Sequence, residues 1–138
     1  MKNLILCSFL LLFVGFTYSQ ESVKLEDIGL EVMTKDLGQM NWEEAKKACA
    51  DLGDGWRLPT IDELKSIVPY KDKFETLSRG YWSSTDYAPE SDDYCRKLGN
   101  CAYNFIFSGK LDLPGSGDFR NVSTSGTTFS VRAVRNIK

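Results

Sequence analysis

The stretch NWEEAKKACADLGDGWRLPTIDEL, residues 41–64, contains two helix starts close together. Asn41 is followed three positions later by Glu44, and Thr60 is followed in the same way by Glu63. Asn or Thr at this spacing from Glu is typical of a capping box, which satisfies the free N–H groups at the start of a helix. The sequence therefore predicts two consecutive helices joined by a short, glycine-containing turn.

Each predicted helix carries apolar residues on one face and charged residues elsewhere. The apolar face of the first helix consists of Trp42, Ala45, Ala48, Cys49 and Leu52. The apolar face of the second consists of Ile61, Leu64, Ile67 and Val68, and Pro69 ends it. Because Cys49 shares a face with apolar residues, we expect its thiol to be buried and chemically inert.

The segments on either side of the helices indicate strands. Residues 20–29 are polar and predict a loose lead-in, whereas residues 30–37 predict a first strand. After the helices, aromatic and β-branched runs at residues 81–82, 103–107 and 127–134 are separated by turn-forming residues. One strand, two helices and then several strands with long loops predict an α+β domain with an antiparallel sheet.

The start of the chain differs from the rest. Lys2 is its only charge, residues 4–16 are almost all apolar, and small or polar residues follow. This pattern predicts a secretory signal peptide over residues 1–19, cleaved near Ser19 and Gln20. The apolar run is shorter than the roughly 20 residues of a spanning helix. We therefore expect an exported protein (secreted, periplasmic or at the cell surface) with no membrane span after signal removal.

Composition argues against several classes of function. The chain has 17 Lys and Arg against 19 Asp and Glu, so it offers no broad attraction for nucleic acid. It contains no histidine, the commonest general base, and its scattered cysteines do not form a zinc motif. We therefore predict no enzyme activity, no metal site and no cofactor. A small glycoside hydrolase built on an Asp/Glu pair is a remote alternative, because such enzymes need no histidine.

Three cysteines remain after signal removal, at positions 49, 95 and 101. Cys95 and Cys101 flank a segment that ends in Gly-Asn, which favours a turn. An oxidising compartment would then favour a local disulfide between them, worth about 2 kcal/mol because the closed loop is short. Two alternatives stay open: three free thiols, or a bridge from Cys49 to one of the other two.

Four motifs stand in order along the chain: NWEEAKKAC (41–49), GWRLPT (55–60), YWSST (81–85) and VRAVR (131–135). Together they resemble the bacterial family of Fibrobacter succinogenes major paralogous domains and Lcl C-terminal-type domains, whose fold is similar to that of C-type lectins. The resemblance covers residues 30–138. It implies two helices packed on a looped antiparallel sheet, with both chain ends meeting in one sheet. It also implies an exported or surface-attached domain, used by several members in adhesion or glycan binding.

Caps and apolar anchors account for most of the first two motifs. We therefore expect structural roles for Trp42, Cys49, Trp56, Arg57, Pro59 and Thr60. Arg57 is expected to bond loop carbonyls or a carboxylate, and a ligand role for it is the alternative.

Ligand-binding residues are expected on the segment that begins with the third motif. An indole beside hydroxyl groups suits a sugar, and the candidates are Trp82, Ser84, Asp86, Tyr87 and Asp92. For Trp82 the alternative is core packing, because a tryptophan inside a short strand is often buried. Acidic residues on this segment would also suit calcium, but the Glu-Pro-Asn, Gln-Pro-Asp and Trp-Asn-Asp triplets of lectins are absent. We predict a non-catalytic, calcium-independent binding domain whose ligand is a glycan or a protein surface. The alternative is a structural, envelope-associated domain that makes protein contacts only.

Overall fold

The computed structural model describes residues 21–86, 101–107, 117–123 and 126–138. The predicted signal peptide, residues 1–19, lies outside these ranges. Within them, none of the helices combines the length and the apolar character that crossing a membrane requires.

The two predicted helices are confirmed. α1 spans Trp42–Asp51 and α2 spans Ile61–Ile67. Each begins with a capping box, in which the Asn41 or Thr60 side chain accepts the N–H three residues on and a glutamate accepts the N–H of the cap. A 3₁₀ helix over Val68–Lys73 continues the chain after α2. The α-helix ends there because the proline in this segment lacks the N–H that another α-helical turn would use.

The described ranges contain eight strands in two sheets. In chain order they are β1 (Ser22–Leu25), β2 (Leu30–Met33), β3 (Gln39–Met40), β4 (Gly80–Asp86), β5 (Cys101–Phe107), β6 (Gly117–Ser123), β7 (Phe129–Ser130) and β8 (Val134–Asn136). The smaller sheet has the order β1-β2-β8 and is antiparallel. The larger sheet has the order β3-β7-β4-β5-β6, with a parallel contact between β4 and β7 and antiparallel pairs elsewhere. The predicted α+β class is confirmed.

The described part of the segment before residue 30 contains a strand, Ser22–Leu25, and a 3₁₀ helix, Glu26–Ile28, so the expectation of a loose lead-in was wrong. β1 pairs with β2 along its whole length, from Ser22 opposite Met33 to Leu25 opposite Leu30. Leu25 is fully buried, whereas the other residues of β1 are partly or largely exposed. Leu25 lies in the core and Val23 packs partly against it, and four residues are too few to give a clear strand pattern in the sequence.

The predicted C-terminal strand, residues 127–134, divides between the two sheets, since β7 lies in the larger sheet and β8 in the smaller. Between them, Val131 accepts the N–H of Leu37 at 2.8 Å and donates its own to Gly38 at 3.0 Å. These bonds guide the chain from one sheet to the other. They also explain why the strand predicted over residues 30–37 ends with β2: its last residues bond to this crossing.

The larger sheet is covered by one helix on each face. Tyr81 and Trp82 are neighbours on β4 and therefore point to opposite faces. Tyr81 belongs to the core cluster that contains Leu64 of α2, whereas Trp82 belongs to the cluster that contains Ala45 and Cys49 of α1. Each face of the sheet is thus sealed by a helix near the middle of β4.

A buried arginine holds the crossing between the sheets. Arg132 is 1% exposed, and its guanidinium donates to Asp36 Oδ1 at 2.5 Å and to the Tyr81 hydroxyl at 3.1 Å. It also donates to the carbonyl oxygen of Met33 at 2.8 Å and to that of Thr76. One side chain therefore connects the segment after β2, the segment before β4 and the C-terminal crossing.

Candidate functional site

Trp82 is a core residue, which corrects its placement among the ligand-binding candidates. It is 0% exposed, and its indole N–H donates to the carbonyl oxygen of Met40 at 2.8 Å. The Phe129 ring meets it edge-on, with 4.9 Å between centroids. Since α1 also packs on this side of the sheet, the indole offers no open face to a ligand.

The described structure does not bring the other predicted ligand residues together. Ser84 is half-buried, and its backbone N–H donates to the carbonyl oxygen of Pro59 at 2.7 Å. Asp86 is the last residue of β4. Tyr87 and Asp92 lie outside the described residues. A site on that segment stays a prediction.

The two other tryptophans expected to be structural are buried. The Trp42 indole N–H donates to the carbonyl oxygen of Ser83 at 2.8 Å and so joins α1 to β4. Trp56 lies beneath Arg135, whose guanidinium carbon is 4.6 Å from the ring centroid. Pro59 is buried as well. These contacts are those of packing residues.

Arg57 makes its contacts within the protein. Its guanidinium binds both carboxylate oxygens of Glu63 at 2.8 Å and donates to Asn136 Oδ1 at 2.8 Å. Glu63 also accepts the backbone N–H of Thr60 at 2.8 Å as part of the α2 cap. The Arg57 guanidinium also donates to the carbonyl oxygen of Leu58 at 3.3 Å. All four bonds serve structure, and the ion pair connects the start of α2 to β8.

The ion pair between Arg57 and Glu63 should make the free energy of unfolding depend on pH. Burial raises the pKa of Glu63, but hydrogen bonds and charge from Arg57 and the Thr60 N–H outweigh it and leave that pKa below the usual 4.5. A carboxyl group whose pKa is lower in the folded than in the unfolded protein stabilises the fold at pH values above its unfolded-state pKa. This stabilisation is lost as the pH falls through the folded-state pKa. We expect Glu63→Gln to lower the free energy of unfolding by about 1 kcal/mol at pH 7, because solvent screens the half-exposed Arg57.

Urea titrations from pH 3 to pH 7 measure this effect, and the difference between Glu63→Gln and wild type should shrink below pH 4.5. Glu43→Gln is the matched control, since Glu43 forms an exposed pair with Lys46 at 2.9 Å. An equal loss in both variants at pH 7, or a loss independent of pH, would contradict the assigned role of the ion pair.

Cys49 is a buried free thiol. Burial raises its pKa to about 12, so it stays protonated and unreactive at neutral pH. The alternative of a bridge from Cys49 does not hold. Cys101 is buried at the start of β5; its predicted partner, Cys95, lies outside the described residues, and that disulfide stays a prediction.

A pocket of about 380 Å³ opens at the end of the larger sheet where β4 begins. Four strands and the residues next to them contribute its lining, which consists of Gln39, Arg79, Gly80, Ile106, Thr128 and Phe129. Its volume lies at the lower end of the range of about 300–1,000 Å³ for small-molecule sites. The pocket is thus large enough for a small ligand, and it opens at a place that sequence reasoning did not select.

The lining combines an apolar floor with exposed polar groups. Gly80, Ile106 and Phe129 are half-buried, and we call these three lining residues the floor. The side chains of Gln39, Arg79 and Thr128 are exposed. Arg79 makes no ion pair or hydrogen bond through its side chain to any residue that the structure describes, and its guanidinium is available to a ligand. An amide, a hydroxyl and a guanidinium can all bond to neutral or negatively charged oxygen atoms.

The glycine in the floor determines the shape of the pocket. A Cβ atom on Gly80 would lie 2.9 Å from Cδ1 of Phe129, which is closer than two carbon atoms tolerate. The absence of a side chain at residue 80 therefore lets the phenyl ring lie directly over the backbone of β4.

Acidic groups lie elsewhere in the described structure. Glu21 and Glu75 share a hydrogen bond that raises the pKa of Glu21, and Lys35 lies 3.9 and 3.0 Å from their carboxylates. Both carboxylates are exposed, and neither lines the pocket. The ranges that the structure describes contain no cluster of three or more metal-ligating side chains. The hydrolase alternative stays a prediction.

The family model of the Lcl C-terminal domain matches residues 20–135, and the chain therefore belongs to the Lcl C-terminal domain family. No curated protein matches the chain closely enough to be reported as a relative. The family match begins before residue 30, in agreement with the position of β1 in the fold.

The pocket residues carried weak signals in the sequence. Phe129 lies within a run that predicted a strand, and Arg79-Gly80 comes directly before an aromatic pair. A glycine before a strand is a common turn signal and does not indicate a ligand site. Nothing in the sequence shows that Gln39, Ile106 and Thr128 meet there, because they lie on separate strands or beside them.

Proposed function

We propose that this chain is an exported, non-catalytic binding domain of C-type-lectin-like fold, with a glycan as its ligand. The observation that carries the proposal is the pocket of about 380 Å³, in which an apolar floor lies beside exposed amide, guanidinium and hydroxyl groups. Two helices against a larger sheet, and a smaller sheet that joins the first and last strands, support the lectin-like assignment.

A glycan suits the chemistry of this pocket. A sugar ring presents C–H groups on its faces and hydroxyl groups at its edge. Phe129 and Ile106 can pack against the C–H groups, as aromatic and aliphatic side chains do in small-molecule sites. Gln39, Arg79 and Thr128 can bond the hydroxyl groups.

The lining also supports binding without calcium. Calcium takes six to eight oxygen ligands, mainly from carboxylates and carbonyls. Among the lining residues that the structure describes, the pocket contains an arginine and no carboxylate. A positive charge disfavours a cation at the same place, so we propose direct contact between sugar and protein.

Export and the lack of catalysis rest on the sequence. The basic, apolar and then small-residue pattern of residues 1–19 supports a signal peptide. The absence of histidine from the chain removes the commonest general base and supports a binding role. We place the domain outside the cytoplasm, in adhesion or recognition at a surface.

A screen with a matched pair of variants tests the proposal. The purified mature domain is applied to a glycan array with and without calcium, and positive sugars are confirmed by saturation-transfer NMR. We expect binding that chelator does not abolish. Arg79→Ala should weaken it by about 10- to 150-fold, because a hydrogen bond to a charged group is worth about 1.5–3 kcal/mol.

Lys47→Ala is the control, since Lys47 is an exposed cation on α1 that does not line the pocket. It should bind like wild type. A folded protein that binds no sugar would overturn the proposal. A stable envelope protein recovered with such a domain would instead favour the structural alternative.

A further inference from the structure

Asn104 is a buried polar residue that the fold leaves without partners. It lies in the middle of β5 and is 0% exposed. Neither Nδ2 nor Oδ1 of its side chain has a hydrogen-bond partner. A buried polar group left unpaired costs about 1–3 kcal/mol. Such groups are rare in folded proteins, and a functional role is one reason for keeping them.

The register of the sheet places Asn104 beside the pocket. Gly80 stands opposite Ile106, and Trp82 stands opposite Asn104. Residues directly opposite in antiparallel strands share a face, as do alternate residues of one strand. Asn104 therefore lies on the same face as Gly80 and Ile106, both of which line the pocket. Its Nδ2 atom is 3.9 Å from the position that a Cβ of Gly80 would occupy.

The Phe129 ring lies close to this amide, because both are near the Cβ position of Gly80. It lies against Gly80, in the space that a side chain at residue 80 would need. Phe129 is half-buried and lines the pocket together with the exposed Thr128. For a ligand in the pocket to reach Asn104, this one ring must turn aside, and Gly80 has no side chain to block the way.

We infer that Asn104 forms the inner end of the pocket and binds two adjacent hydroxyl groups of a neutral sugar ring. This inference rests on the proposed function and names the ligand chemistry at its site. The amide matches such a pair because Nδ2 donates to one hydroxyl oxygen while Oδ1 accepts from the neighbouring hydroxyl. A charged group at this depth would lose its hydration beside an uncharged amide, which is costly. The inner position therefore selects a neutral part of the ligand.

The test uses methyl glycosides of glucose, galactose, mannose and fucose, together with analogues in which one hydroxyl is replaced by hydrogen. Affinities for wild type are measured by calorimetry or saturation-transfer NMR. We expect one glycoside to bind and to lose at least about tenfold in affinity when either hydroxyl of one adjacent pair is removed, because a site built to bond a hydroxyl rejects the analogue that lacks it.

The same glycosides are then measured with the Asn104→Leu variant. It should bind the parent glycoside about tenfold more weakly than wild type, and it should no longer distinguish the parent from the two deoxy analogues. Its melting temperature should equal or exceed that of wild type, since the change removes two unpaired polar atoms from the core. If this variant fails to fold, the deoxy series on wild type alone decides, and indifference to every deletion would overturn the inference.

The outcomes separate this inference from the proposed function. One outcome is that Arg79→Ala weakens binding while Asn104→Leu binds the parent glycoside and rejects the deoxy analogues like wild type. In that case the sugar site in the pocket is supported and the role of Asn104 is wrong. If affinity requires a carboxylate or sulfate on the sugar and ignores its hydroxyls, the neutral inner contact is wrong. If wild type binds no sugar, both proposals fail.

Discussion

Replacement of Arg132 by methionine is expected to lower the free energy of unfolding by about 3–5 kcal/mol. The guanidinium is 1% exposed and binds Asp36, whose side chain is 10% exposed. Without it, a nearly buried carboxylate loses its counter-charge, and the carbonyl oxygens of Met33 and Thr76 lose a donor. Removing one partner of a buried ion pair destabilises a protein more than replacing both partners by apolar residues, because it leaves an unpaired buried charge.

Urea unfolding followed by tryptophan fluorescence measures this change. Lys47→Met is the matched control, because Lys47 forms an exposed ion pair with Asp51 and its loss should cost less than about 1 kcal/mol. The double variant Arg132→Met with Asp36→Leu should be less destabilised than Arg132→Met alone, since it leaves no unpaired charge. A loss below 1 kcal/mol in Arg132→Met would show that this network does not hold the sheets together.

Trp82→Ala is expected to lower the free energy of unfolding by about 3–5 kcal/mol, as the loss of a buried aromatic side chain does. The indole fills the space between β4 and α1, contacts Phe129 and donates to Met40. The same substitution in an exposed sugar platform would abolish binding and leave stability nearly unchanged. This variant therefore distinguishes a core role from the ligand role that the sequence suggested.

Thermal and urea unfolding of Trp82→Ala and Trp82→Phe provide the comparison. The phenylalanine variant keeps most of the apolar volume and should lose less than the alanine variant, chiefly through the unpaired carbonyl of Met40. Native stability in Trp82→Ala, together with a loss of glycan binding, would restore Trp82 to the ligand site.

The helices were predictable because their signals are local. The capping boxes at Asn41 and Thr60 and the apolar spacing along α1 lie within a few residues of each other. Such short-range patterns survive in any tertiary context that buries the apolar face. The α+β class followed from the order of these helices and the later strand signals.

The sheets were less predictable because their pairing is long-range. β1 is only four residues long, with two apolar residues that alternate with polar ones, and its pairing with β2 stabilises it as a strand. Residues 127–134 have one continuous β-branched pattern, yet Arg132 within them is drawn into the core by Asp36, nearly a hundred positions earlier. No local pattern reveals a partner at that distance.

The pocket was missed for the same reason. It forms where β3, β4, β5 and β7 come together, and its lining residues, which are far apart in the sequence, meet only in the folded sheet. In the sequence, an indole beside hydroxyl groups at Trp82 is compatible with a sugar site and with a core position. The position of α1 decides for the core, and the open surface lies two residues away at Gly80.

A titration of the isotope-labelled mature domain with its bound glycoside, followed by backbone amide chemical shifts, tests the central claim most directly. We predict that the largest shifts map to Gly80, Ile106, Thr128 and Phe129, with a further change at the side-chain amide of Asn104. Saturating shifts confined to another surface, or none from any glycan in a folded sample, would contradict a sugar site in this pocket.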